Sequence, residues 1–196
     1  MNEPNTGRAA PRRRDRAVRD ETWIRAMLRE APTGVLATAH DGQPFVNANL
    51  FVYDEAEHVI WMHTAATGRT RSNIDANARV CFTVFAMGRL LPADTALEFS
   101  VEYDGVVVFG RGRAVSDPDA ARRGLQLLLD KYFPDLRPDR DYRAITDEEL
   151  RRTAVYRIEI EAWSGKRKVA ADDFEGARSW WEGRGAADER RATEGG

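Results

Sequence analysis

The chain has 196 residues, 42% of them hydrophobic and 32% charged, with a formal net charge of −2 at pH 7. That length fits one domain with tails, and the balanced charge removes the electrostatic case for a nucleic-acid partner. A single cysteine excludes an intramolecular disulfide. No apolar run approaches the roughly 18 residues of a membrane-spanning helix, and the N-terminus lacks a secretion-signal core, so the expectation is a cytoplasmic protein without a membrane partner.

Residues 1–19 read as a flexible tail containing Pro4, Pro11 and the run Arg12-Arg13-Arg14. Such an arm is more often a solvated end than a partner-binding element. Asp20 is placed to cap a helix running to about Ala31, with Trp23, Ile24, Met27, Leu28 and Ala31 forming one apolar stripe. Pro32 stops it. Thr33–Ala39 is the first strand, and Asp41-Gly42 is a hairpin turn signal. Pro44–Tyr53 is the second strand. In it Phe45, Asn47, Asn49, Phe51 and Tyr53 share one face, while Val46, Ala48, Leu50 and Val52 share the other. Val59–Thr64 is the third strand.

Thr67 is a candidate cap for a helix to about Ala76. A fourth strand, Arg79–Met87, contains Cys81, whose apolar setting predicts a buried, inert thiol. A loop over Gly88–Thr95 leads into the β-rich run Leu97–Val115, in which Asp104-Gly105 predicts a bend or bulge. Asp117 and Pro118 open an amphipathic helix, and Thr146 with Glu149 has the pattern of a capping box. Ala154–Trp163 is the last strand, with Tyr156, Ile158, Ile160 and Ala162 on one face. A final helix is expected over Asp173–Gly183, in a polar C-terminal segment 169–196. Six strands joined by hairpins and short helices, without a βαβ rhythm, argue for an antiparallel barrel or sandwich.

The stretch from Val59 to Val80 carries most of the chemistry. Free N–H groups at the helix start after Thr67, beside Arg69, Thr70 and Arg71, form a potential anion site suited to phosphate. The alternative is a plain strand–helix connection with solvated arginines. His40, His58 and His63 show no metal-ligand spacing, and no zinc site is expected.

Four segments, GVLATAHDGQPFVNANLFVY, VIWMHTAATGRTRSNIDANARVCF, EYDGVVVFGRGRAV and IEAWSGK, in this order and spacing, resemble the flavin-binding split-barrel superfamily. That superfamily contains pyridoxamine 5′-phosphate oxidase and the nitroimidazole-resistance (Nim-type) proteins. The RRRDR before the first helix resembles the Nim-type branch. The resemblance implies a mainly β (α+β) fold, a six-stranded antiparallel split β-barrel with peripheral helices spanning 20–168, and FMN bound at a homodimer interface. It implies an oxidoreductase acting on a small organic substrate, with nitro-compound reduction in view. Deazaflavin F420 or haem in the same fold, or a non-catalytic flavin-binding module, are the alternatives.

Carried over by position, the flavin would touch Asn47, Ala48, Asn49 and Leu50 on the second strand and His63 and Thr64 at the end of the third. The phosphate-gripping Arg-Lys pair reads Arg69-Thr70 here, with Arg71 next. Gly105 falls where the superfamily carries a polar residue. Trp163 matches a tryptophan near the flavin, and Lys166 belongs to a Gly-Lys typical of the Nim-type branch. His63 is the best candidate for proton transfer, since its unperturbed pKa lies near neutrality. The oxidase's substrate-binding arginine–histidine segment is not recognisable after Trp163, which argues against pyridoxamine phosphate as substrate. A barrel of six short strands has little free interior, so a flavin belongs outside it and needs a second subunit to bury it.

Overall fold

A computed structural model describes residues 9–182. Arg14–Arg16 form a 3-10 turn, followed by β1 (Ala17–Val18), α1 (Glu21–Glu30), β2 (Gly34–His40), β3 (Gln43–Asn49), β4 (Phe51–Asp54) and β5 (Val59–Ala65). The chain continues through α2 (Arg69–Ala76), β6 (Arg79–Leu91), β7 (Ser100–Ala114), α3 (Pro118–Tyr132), α4 (Asp147–Arg151) and β8 (Thr153–Lys168). The strands form one antiparallel sheet in the order β3-β2-β6-β7-β8-β5-β4, with β1 paired to β8. The fold is thus mainly antiparallel β with peripheral helices, as the pattern of strands and short helices requires.

The sheet has eight strands where six are expected. The run Pro44–Tyr53 breaks at Leu50, so that β3 pairs with β2 while β4 pairs with β5. These two strands lie at opposite ends of the sheet yet are joined through one residue. The sheet must therefore curl until its edges meet, giving a barrel split along one seam rather than closed by a ladder. The other added strand is β1, which pairs Ala17 and Val18 with Lys166 and Gly165, so the end of the expected tail joins the sheet.

The interior is filled by Leu36, Phe51, Ile60, Met62, Phe82, Val106, Tyr156 and Ile158. Each large apolar side chain buried in this way stabilises the fold by about 1.5–3 kcal/mol. Helix α1 closes one end with Ile24 and Leu28, and its expected cap is present: Asp20 accepts from the Thr22 amide at 2.9 Å. Helix α3 lies outside the barrel on Trp61, Val59 and Val155, capped by Asp117. Gly124 permits this approach, because a Cβ there would lie 2.6 Å from the Trp61 ring. The Thr146–Glu149 capping box opens α4.

Several local expectations change. Gly68, not Thr67, is the N-cap of α2, at a φ of 139° that favours glycine. The pairing runs regularly through Asp104 and Gly105, and the irregularity falls instead between Phe109 and Gly110. There Glu161 is the extra residue on β8, so Ala162 leaves the face of Tyr156, Ile158 and Ile160, and Trp163 turns inward beside Val108. Strand β6 continues through Gly88 to Leu91, because Leu90 and Leu91 still pair with Val101 and Ser100. Residues 171–177 form turns rather than helix, and helix begins only at Trp180. The end of that expected helix, at Gly183, lies outside the described residues.

Candidate functional site

The seam at Leu50 organises the site. Breaking one strand into two strands leaves backbone groups without ladder partners, and two side chains take them up. The Asn49 amide oxygen accepts from the Leu50 N–H at 2.8 Å, while its Nδ2 donates to the His63 carbonyl at 2.6 Å. The Tyr132 hydroxyl, from α3, accepts from the Phe51 N–H at 3.1 Å and reaches the Pro32 and Phe51 carbonyls. Asn47 donates to the Thr70 hydroxyl at 3.2 Å, tying β3 to α2, and Asn73 donates to Thr38. The two asparagines, unusual in a strand, therefore point inward and hold the seam and α2 in place. Thr70 is only 6% exposed, and its oxygen is engaged by Asn47.

Helix α2 starts without a side-chain cap. Its first intrahelical bond is Ser72 N–H to Gly68 C=O, so the amides of Arg69, Thr70 and Arg71 have no acceptor within the helix. The Arg69 guanidinium sits 5.6 Å above the Phe45 ring and has no acidic partner among the described residues. Arg71 differs: its Nε donates to Asp75 one turn on, at 2.6 Å, so its charge is compensated. The expected anion site therefore rests on Arg69 and the helix start. Beside it, Val46 (62% exposed), Ala48 and Leu50 (41% exposed) face outward on β3, as the alternation requires. In a hairpin with a two-residue turn, alternate residues turn their N–H and C=O groups away from the partner strand. For β3 these are Val46 and Ala48, which sit opposite Ala37 and Val35.

His63 and Thr64 are adjacent but diverge. Thr64 turns inward to the Tyr156 hydroxyl at 2.9 Å. His63 turns outward, into a cavity of about 410 Å³ whose walls include Leu50, Leu125, Leu128, Leu129 and Phe133. Its Nδ1 is buried with no hydrogen-bond partner, and burial lowers its pKa, favouring the neutral ring. Leu50 belongs both to this cavity and to the exposed row on β3. Sequence reading missed the cavity, since its helical wall is an ordinary leucine stripe.

Within one chain the remaining predicted residues lie elsewhere. Gly105 and Lys166 pair with each other across β7 and β8. Trp163 packs against His58 with ring centroids 4.6 Å apart, under the Arg25 guanidinium at 5.0 Å, and near Tyr53. His58 precedes β5 at a φ of 55° and donates to or accepts from the Tyr53 hydroxyl. Trp163 and Arg69 thus belong to separate side-chain clusters within the chain. Among the described residues, no group of three or more His, Cys, Asp or Glu is placed to hold a metal, and no helix is long and apolar enough to cross a membrane. Cys81 is half-buried on β6, and burial raises its pKa.

The sequence profile of the Pyridoxamine 5'-phosphate oxidase family matches residues 20–167. The chain belongs to this family. Among solved structures it is similar to a flavocytochrome from Azotobacter vinelandii, at 25% identity and a TM-score of 0.74 over 89% of this chain and 80% of that one. It is also similar to an FAD and heme binding protein from Mycobacterium smegmatis (22%, TM-score 0.71, 81% and 76%). A third is a candidate 5-nitroimidazole antibiotic resistance protein from Bacteroides thetaiotaomicron (18%, TM-score 0.64, 77% and 86%). The split barrel of the pyridoxamine 5′-phosphate oxidase family and its Nim-like relatives is therefore the fold of this chain. No curated protein matches it.

Proposed function

We propose that the chain is a flavin-dependent oxidoreductase acting on a small organic molecule as a homodimer, with the flavin between the two copies. The observation that carries this reading is Arg69: an uncompensated cation at an uncapped helix start, beside an exposed apolar strand. A riboflavin 5′-phosphate unit, as FMN or as part of a larger flavin, needs both features. Its phosphate is attracted to the free amides and the guanidinium. Val46, Ala48 and Leu50 supply an apolar wall for the ring, and the outward N–H and C=O groups of Val46 and Ala48 can bond its polar edge. A bound flavin supplies hydride and electron transfer, and the protein positions and tunes it.

The homodimer follows from surface chemistry. Val46, Phe85 and Met87 are 62%, 64% and 48% exposed on strands β3 and β6, which leaves an apolar face for a second copy to cover. Such a copy would bring Gly105, Trp163 or Lys166 toward the flavin, which one chain alone does not. The test is the absorption spectrum of the purified protein with mass spectrometry of the released ligand. Flavin bands are expected, and a colourless protein that does not quench added flavin would refute the reading.

His63 favours a second, compatible reading, in which haem occupies the cavity under α3. His63 lines that cavity, burial favours its neutral ring and its Nδ1 has no hydrogen-bond partner, so its imidazole is the group that would hold the haem iron, and the 25%-identical relative is a flavocytochrome. A Soret band that disappears in His63→Ala is expected. Its absence after haem addition would remove this second ligand and leave the flavin reading standing.

A further inference from the structure

The outward face of β6 and β7 carries uncompensated charge of opposite sign at its two ends. At one end Arg79 on β6 and Arg111 on β7 are direct cross-strand partners, and both are exposed. Like charges placed opposite one another weaken a sheet, and neither guanidinium has an acidic partner among the described residues. Glu159, which pairs with Arg111 on its other flank, gives its carboxylate to Arg157. At the other end β6 and β7 run on as an arm, beyond their pairing with β2 and β8. The tip of this arm, residues 92–99, holds Asp94 and Glu98, both exposed and without cationic partners among the described residues. Leu97 and Phe99 on the same tip are 95% and 59% exposed. The exposed Phe85 and Met87 lie about midway between the two ends.

We propose that a second copy of this chain docks on this face with its strands antiparallel to the first, so that the acidic arm tip of each copy covers Arg79 and Arg111 of the other. The proposal rests on the homodimer reading above and fixes its geometry. A two-fold interface is self-complementary, so a contact made at one end of the face is repeated at the other. Facing sheets pack with their strands nearly aligned, in a parallel or an antiparallel sense. The parallel choice sets the arginines of both copies against each other. The antiparallel choice sets arginines against carboxylates at both ends, and it brings Phe85 and Met87 of the two copies together at the axis.

The arm is braced before any partner arrives. Arg89 donates to Glu102 at 2.7 Å and to the Asp172 and Ala171 carbonyls at 3.0 and 3.1 Å. Leu90 and Arg178 exchange backbone hydrogen bonds of 2.8 and 3.2 Å, on the edge of β6 that β2 leaves free beyond Thr83. Residues 170–178 therefore hold the arm straight. The rotation that brings the arm tip onto Arg79 also carries this segment across β2 and β3 of the other copy, over Val46 and Ala48. Each flavin wall is thereby closed by the second copy.

The test is the dimer dissociation constant of the full-length protein, measured by sedimentation at low ionic strength. The double variants Arg79→Glu/Arg111→Glu and Asp94→Arg/Glu98→Arg should each weaken association at least tenfold. The first keeps a like-charged cross-strand pair, so its fold is no more strained than that of the unaltered chain. An equimolar mixture of the two variants regains opposite charges at both ends of the interface. It should form mixed dimers about as tight as the unaltered dimer, and flavin affinity should fall in each variant and return in the mixture. Unchanged association in both variants, or no recovery on mixing, would overturn the proposal and leave the homodimer reading intact. An unaltered protein that stays monomeric at every concentration would overturn both.

Discussion

The two sides of the Leu50 seam contrast sharply although they are a few residues apart. On the α3 side leucine, isoleucine and phenylalanine side chains make most of the wall, with Tyr132, Tyr142, Arg143 and Glu149 beside them, and burial lowers the pKa of the His63 imidazole that lines it. On the α2 side the surface is open, the helix amides lack acceptors, and Arg69 lacks a counter-charge. The difference shows how one break in one strand creates two surfaces of opposite character. Before the break Val46 and Ala48 face outward to solvent, while Phe45 and Asn47 on the other face reach the start of α2. Those facing outward after it meet a covering helix. The first suits a phosphate, the second a neutral apolar ligand.

The largest effect should come from Arg69→Ala, which removes the uncompensated guanidinium at the start of α2. Charge-assisted hydrogen bonds contribute about 1.5–3 kcal/mol, so flavin affinity should fall roughly ten- to a hundred-fold in fluorescence titration. Ligand uptake by the His63 cavity should not change. Asn49→Ala should follow, through stability rather than binding. It strands the part-buried His63 carbonyl and leaves the exposed Leu50 N–H to water, a loss of about 1–3 kcal/mol in all, measured by urea unfolding. Because Asn49 holds both sides together, both ligands should weaken in this variant.

A pH series separates the two sides further. Burial depresses the folded-state pKa of His63, so the unfolded chain takes up its proton first as pH falls. The neutral ring's contribution to stability is present above the unfolded value, near 6.5, and is lost as pH falls through the depressed folded value. His63→Phe should flatten the loss of stability on acidification in that window. Part of the slope will remain, since burial and Arg25 depress His58 as well. Salt should act in the opposite place: raising ionic strength should weaken flavin binding at Arg69 and leave the apolar cavity indifferent. The smallest effect is expected from Gly105→Ser. A Cβ there meets only ordinary contacts, 3.7 Å from Val84 O and 3.8 Å from the Phe85 ring, so stability should change by less than about 0.5 kcal/mol.

Much of this was legible in the residues. The Asp20, Asp117 and Thr146 caps, the Asp41-Gly42 turn and the alternation along β3 are local signals, and each appears as expected. The seam was not legible, because Pro44–Tyr53 alternates without interruption through Leu50. Only the partners differ on its two sides, and partner choice is a property of the whole sheet. The same limit applies to Asn47 and Asn49. Sequence marked them as unusual in a strand but could not distinguish a ligand contact from a bond to Thr70 or to the His63 backbone. Ala162 was placed on the wrong face because Glu161 is an extra residue in its ladder, and a bulge of this kind leaves no compositional trace. The position of Arg69 at a helix start was legible because a turn followed by a helical run is a local signal.

The central claim is that Arg69 at the start of α2 holds the anionic end of a flavin. Its most direct test is the flavin dissociation constant of Arg69→Ala beside that of the unaltered protein, measured at low ionic strength. The account predicts a loss of at least tenfold, with unfolding by urea unchanged. Equal affinity in the two proteins would contradict it.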